Sequence, residues 1–129
     1  MRIGIDILGG DFAPEATVRG AIMAAKSLPA DARLVLIGDE NSIRLICQRE
    51  HFDPSVFEIV HTTELIEMGE HPAKAFVQKQ EASVVKGFKL LARGEIDGFA
   101  SAGNTGAMMV GAMQVIKSIP GVIRPCIAA

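Results

Sequence analysis

Neither sign of charge dominates this sequence. Thirteen basic residues against fifteen acidic ones leave a formal net charge of −2, so no overall basic field recruits nucleic acid or anionic lipid. A charged partner has to meet a local patch. Cysteine is scarce: Cys47 and Cys126 are the only two, neither lies in a CxxC pair, and the chain starts Met1-Arg2-Ile3 without a long apolar leader. Those features fit a reduced, cytoplasmic protein. His51, His61 and His71 lie ten residues apart, a spacing that matches no i, i+3 or i, i+4 metal pair. No repeat of roughly 20 to 50 residues, low-complexity tract or Gly/Ser linker divides the chain.

What remains is a chain of 129 residues, 49% hydrophobic and 22% charged, enough to bury the core of one globular domain. Short runs rich in Ile, Val and Leu, at Arg2 to Leu8 and Leu34 to Gly38, read as strands covered on both faces. Val56 to His61 and Gly98 to Ser101 read as two more. Between the first two, Pro14 opens a helix whose apolar stripe is Val18, Ala21, Ile22, Ala25 and Leu28. Asn41 or Ser42 is expected to cap the next helix, Pro72 to Arg93 is expected to be one helix stopped by Gly94, and a last helix starts near Asn104 and stops before Pro120. The alternation predicts an α/β fold, a layered and mostly parallel sheet with helices on both faces. Cys126 to Ala129 reads as a fifth strand on which the sequence breaks off, which suggests the N-terminal part of a longer protein.

The stretch from Gly98 to Ile116 holds nineteen uncharged residues, about the length of a membrane span. Its polar opening, SAGNTG, argues instead for a strand end, a loop and a helix. That loop falls where a parallel strand hands over to a helix, the end of the sheet at which open α/β proteins bind ligands. Gly103 and Gly106 free the backbone to turn N–H groups toward one point, and Ser101, Asn104 and Thr105 offer uncharged side-chain donors to a phosphate or a carbonyl oxygen. Equally, Asn104 or Thr105 can simply cap the helix. The loop LGGDFAPE occupies the equivalent end of the first strand, where Gly9 and Gly10 permit a sharp turn and Asp11 either orients a substrate or caps. Asp6 is unusual within an apolar strand, and a loop N–H is its expected partner.

Lys79, Lys86 and Arg93 recur every seven residues and are expected to share a helix face opposite Val77, Val84, Phe88 and Leu91. That face is either a solvated surface or a dock for an acidic protein.

Taken in order, IDILGGDFAPE, LVLIGD, EMGEHPAKA, and SAGNTGAMM followed by IPGVIRP resemble the N-terminal part of the phosphate acyltransferase (PlsX) family over nearly the whole chain. The resemblance implies transfer of a fatty acyl group from acyl carrier protein to inorganic phosphate, giving acyl phosphate for phospholipid synthesis, with no cofactor and no metal. It also implies a homodimer, loose peripheral membrane association, and a fold similar to the phosphotransacetylases and the isocitrate and isopropylmalate dehydrogenases. On that resemblance Asp11, Asn104 and Thr105 are the catalytic candidates, and Gly9, Gly10, Lys79, Ser101, Gly103 and Gly106 the substrate-binding ones. The chain departs from the family pattern at Leu8, where methionine is usual, at Phe12, where histidine is common, and at Val77 and Gln78, where arginines often precede the lysine. The competing reading is a non-catalytic nucleotide- or anion-binding module.

Overall fold

A computed structural model of the chain describes residues 1–123 and residue 126. Four parallel strands, β1 (Arg2–Asp6), β2 (Arg33–Gly38), β3 (Glu58–His61) and β4 (Gly98–Ala100), form one sheet in the order β3-β2-β1-β4. Ile3 faces Leu34 on one side and Gly98 on the other; Ile5 faces Leu36 and Ala100. The chain therefore builds outward through β1, β2 and β3, then crosses back to lay β4 on the free side of β1.

The period-2 alternation of β2 explains how both faces are covered. Leu34 and Leu36 pack with Val18, Ala21 and Ile22 of α1 (Glu15–Ala25) and Ile43, Ile46 and Cys47 of α2 (Glu40–Arg49). Val35 and Ile37 point the other way, onto Ile96 and onto Leu90 and Leu91 of α4 (Ser83–Ala92). A parallel sheet with helices on both faces is thus what the apolar runs predict.

Three local expectations change. The cap of α2 is Asp39, whose carboxylate accepts the Ser42 N–H at 3.0 Å; Asn41 and Ser42 already lie inside the helix. The Ser42 bonds hold the Asp39 carboxyl below its ordinary range. Val56 belongs to a short 3-10 turn, Pro54–Val56, before β3 begins at Glu58. The helix expected over Pro72 to Arg93 is two helices, α3 (Pro72–Gln78) and α4. Between them the backbone gives its hydrogen bonds to the preceding loop: the Glu81 N–H donates to the Glu64 carboxylate (3.0 Å), Ser83 N–H to the Glu64 carbonyl (3.0 Å), and the Thr62 hydroxyl to the Glu81 carbonyl (2.6 Å). These tertiary bonds replace the helical ladder, and the apolar periodicity runs across the break undisturbed.

The expected basic stripe loses Lys79 with that helix, while Lys86 of α4 and Arg93 at its end stay together opposite buried Val84 and Phe88. Val77 is exposed, not buried opposite it. Lys79 sits beyond α3 and pairs with Glu70 (2.6 Å), Lys86 pairs with Glu81 (2.8 Å), and Arg93 lies 3.7 Å from Glu95. Each cation already has an acidic neighbour.

The last helix, α5 (Thr105–Gly111), continues as a π turn over Ala112–Ile116, closed by Lys117 N–H donating to the Ala112 carbonyl five residues back (2.8 Å). It packs on α4 closely because Gly111 has no side chain: a Cβ there would lie 2.2 Å from the buried ring of Phe88. Phe88 in turn meets Phe76 and Phe99 edge to face, with centroids 6.1 and 5.4 Å away. The strand expected at Cys126 to Ala129 lies outside the described residues except for Cys126, which is exposed and belongs to no strand. No helix among the described residues is long and apolar enough to cross a membrane.

Candidate functional site

Because β4 lies beside β1, the loops that leave their carboxyl ends meet. The strand order reverses here: from β1 the chain moved toward β2, and β4 lies on the opposite side. In open α/β sheets the crevice outside the carboxyl ends at such a reversal is where ligands bind.

The contact between the loops is built around one buried carboxylate. Asp6, at the end of β1, is 3% exposed. Its Oδ1 accepts the Leu8 N–H at 3.0 Å, the loop partner expected of it, and its Oδ2 accepts the Ser101 hydroxyl at 2.7 Å. Ser101 Oγ then accepts the Gly103 N–H at 3.0 Å. Gly9 closes the other side: a Cβ there would lie 2.7 Å from Asp6 Oδ2, 2.7 Å from Ser101 Oγ and 2.8 Å from the Gly103 nitrogen. A Cβ on Gly103 would in turn lie 3.2 Å from the Cα of Gly9. Gly10 has φ +109, open to glycine and strained for other residues. Gly106 leaves room for Pro72, whose Cγ would be 2.4 Å from a Cβ. All four candidate glycines thus have a packing or backbone reason to be glycine.

The side-chain donors are committed in the same way. Asn104, 7% exposed, accepts the Ala107 N–H with Oδ1 (3.0 Å) and so caps α5. Its amide donates to the carbonyls of Glu67 (2.9 Å) and Glu70 (3.3 Å), tying down the acidic loop that precedes α3. Lys79 donates to the Leu65 carbonyl (3.0 Å) and to the Glu70 carboxylate, which also accepts the Glu67 N–H (2.7 Å). The hydroxyl proton of Ser101 goes to Asp6. Thr105 and Asp11 are the sequence candidates whose side chains stay exposed at this end of the sheet. Asp11 does not cap α1, whose N-cap is Pro14 with no side-chain bond. Phe12 beside it is 79% exposed.

A depression of about 280 Å³, lined by Ile5, Asp6, Thr17, Ala100, Ser101 and Ala102, opens next to the Asp6–Ser101 pair. Another, about 220 Å³, lies at the far end of the sheet around Leu28, Arg33 and Phe57, away from both loops. No group of three or more His, Cys, Asp and Glu among the described residues is placed to hold a metal ion.

The Lys79–Glu70 pair makes the acidic loop sensitive to pH. Hydrogen bonding from Lys79 lowers the Glu70 carboxyl below its ordinary 4.5, and the same bond raises Lys79. A carboxyl lowered on folding contributes stability above its ordinary value, and that contribution is lost as pH falls through the lowered one. Amide protection at Glu67 is therefore expected to fall below about pH 4.5 while that of Ala75, inside α3, persists. In K79M the loss should begin at higher pH. An unshifted profile in K79M would show that the ion pair does not hold this loop.

The fold is a parallel α/β sheet covered by helices on both faces, with two loops meeting outside its carboxyl end. The EutD phosphotransacetylase from Staphylococcus aureus matches with a TM-score of 0.63 at 22% identity, over 96% of this chain and 40% of that one, a likeness of fold. The sequence goes further: the model of the fatty acid synthesis protein family matches residues 1–129, and the chain belongs to that family. It is 46% identical over 128 residues to a phosphate acyltransferase of Dictyoglomus turgidum, covering 99% of this chain and 38% of the relative. To those of Herpetosiphon aurantiacus and Clostridioides difficile it is 44% and 40% identical, covering 34% and 37% of them. The chain thus spans little more than a third of the length of these relatives. The resemblance carried by IDILGGDFAPE and SAGNTGAMM holds.

Proposed function

We propose that these residues form the N-terminal portion of a longer phosphate acyltransferase, which moves a fatty acyl group from acyl carrier protein to inorganic phosphate and releases acyl phosphate for phospholipid synthesis. The observation that carries this reading is the meeting of the β1–α1 and β4–α5 loops at the reversal of strand order, in a chain whose relatives bear that name.

The chemistry suits a site with no activated nucleophile of its own. A phosphate oxygen attacks the thioester carbonyl carbon, the tetrahedral intermediate collapses, the C–S bond breaks and the carrier thiolate leaves. No acyl-enzyme is required. The protein has to hold phosphate against the carbonyl and stabilise the oxyanion. In this reading the Thr105 hydroxyl and the backbone N–H groups of the SAGNTG loop make the direct contacts. Asp11 orients from the first loop. Ser101, Gly103, Gly106, Gly9 and Gly10 shape the wall, and Lys79 and Asn104 fix the acidic loop against it. The remaining part of the protein closes the cleft, as in the two-part isocitrate and isopropylmalate dehydrogenases. The protein works as a cytoplasmic homodimer that associates peripherally with the membrane.

A non-catalytic anion-binding module would use the same two loops without turnover, and the packing reasons found for the four glycines do not favour it. Turnover separates the two. Full-length protein incubated with an acyl-carrier thioester is expected to form acyl phosphate only when phosphate is supplied. Phosphate binding without release of carrier thiol would leave the module reading standing.

A further inference from the structure

A strand needs no carboxylate at Asp6. Burying one costs free energy unless its oxygens are satisfied, and an apolar residue would hold β1 in the sheet equally well. Here the charge is spent on geometry: one oxygen fixes the Leu8 N–H of the first loop and the other takes the hydroxyl proton of Ser101, 95 residues away. With its only proton given to Asp6, Ser101 turns a lone pair to the Gly103 N–H, which sets the backbone one residue before the cap of α5. Gly9 is packed against the same atoms, so the two loops meet backbone to backbone. The depression beside the pair places this junction at the edge of the space a substrate can reach.

We infer that Asp6 is a positioning residue for the reaction, acting through Ser101 to hold the SAGNTG backbone in the orientation that receives phosphate. The inference rests on the acyl-transfer reading above. It assigns no contact between Asp6 and substrate; with both oxygens engaged, the carboxylate is shielded from an incoming anion.

The test uses the full-length protein. Asp6→Asn keeps the shape and an acceptor for Leu8 but sets an amide against Ser101. Losing a hydrogen bond to a charged group typically costs a factor of about ten or more. The apparent KM for phosphate is therefore expected to rise about tenfold, with the KM for the acyl-carrier thioester within about twofold of wild type. Ser101→Ala should do the same, and the double variant should be no worse than either single one, because both remove one linkage. A merely structural role lowers the active fraction and leaves both KM values alone. Should Asp6→Asn fail to fold, Ser101→Ala, which keeps the Asp6 carboxylate and its bond to Leu8, decides by the same split. An unchanged phosphate KM, or additive effects in the double variant, overturns the positioning role while leaving acyl transfer intact. Absence of phosphate-dependent turnover in the wild type overturns the acyl-transfer reading and this role with it.

Discussion

Replacing Asn104 by serine in the full-length protein is expected to lower acyl transfer about a hundredfold while costing little stability, and replacing it by alanine to lower both. The side chain performs separable tasks. Its oxygen caps α5 through the Ala107 N–H, and its amide holds the carbonyls of Glu67 and Glu70. Serine is as good an N-cap as asparagine, so the cap survives in N104S; alanine loses it, at about 1 kcal/mol. Serine's hydroxyl is one bond shorter than the amide and alanine has no donor, so neither replaces the bonds to the acidic loop. A wall displaced by about 1 Å costs on the order of a hundredfold in rate, and a lost oxyanion donor costs roughly 100 to 1,000-fold, so a large effect follows whether Asn104 acts by tethering or touches the intermediate. The acidic loop tells these apart: tethering predicts that amide protection at Glu67 and Glu70 falls in both variants, whereas a direct donor leaves it unchanged. Full turnover in N104S would reduce Asn104 to a cap.

The elements were legible where one local force decides them. RIGID and LVLIG are strands because apolar, branched side chains on both faces need cover on both sides, and α1 keeps its stripe of Val18, Ala21 and Ile22. The break after Lys79 was not legible, since Glu64 and Thr62, from a separate loop, make it. The cap of α2 was missed by two or three residues because Asp, Asn and Ser compete within one short run and periodicity does not rank them.

The site divides along the same line. Its two loops could be found from glycines at strand-to-helix junctions, but their contact depends on β4 pairing with β1, a tertiary choice with no local mark. Asp6 did leave a mark, a carboxylate in an apolar strand, though its partner in the other loop did not. The glycines misled in an instructive way. The same residue type serves a backbone approaching a ligand and a backbone approaching another backbone, and Gly9 against Gly103 is the second kind. Donors read from the sequence as substrate-binding or catalytic candidates, on Ser101, Asn104 and Lys79, make bonds within the frame.

The 129-residue chain alone is expected to show native-like secondary structure and acyl transfer no faster than background. The chain covers only 38% of the Dictyoglomus turgidum protein, and the proposed cleft needs a second wall. Thr105 and Asp11 are open to water, so phosphate would stay hydrated and the oxyanion donors would act in a high dielectric, where a charge interaction is several-fold weaker than in a closed site. Met109, Met113, Ile116, Ile119 and Val122 are also exposed along and beyond α5, an apolar surface that favours self-association. Circular dichroism, sedimentation and an acyl phosphate assay, run on this chain and the full-length protein side by side, test each part. Turnover by this chain equal to that of the full-length protein would place the whole active site between LGGDFAPE and SAGNTG, with the second wall dispensable for chemistry.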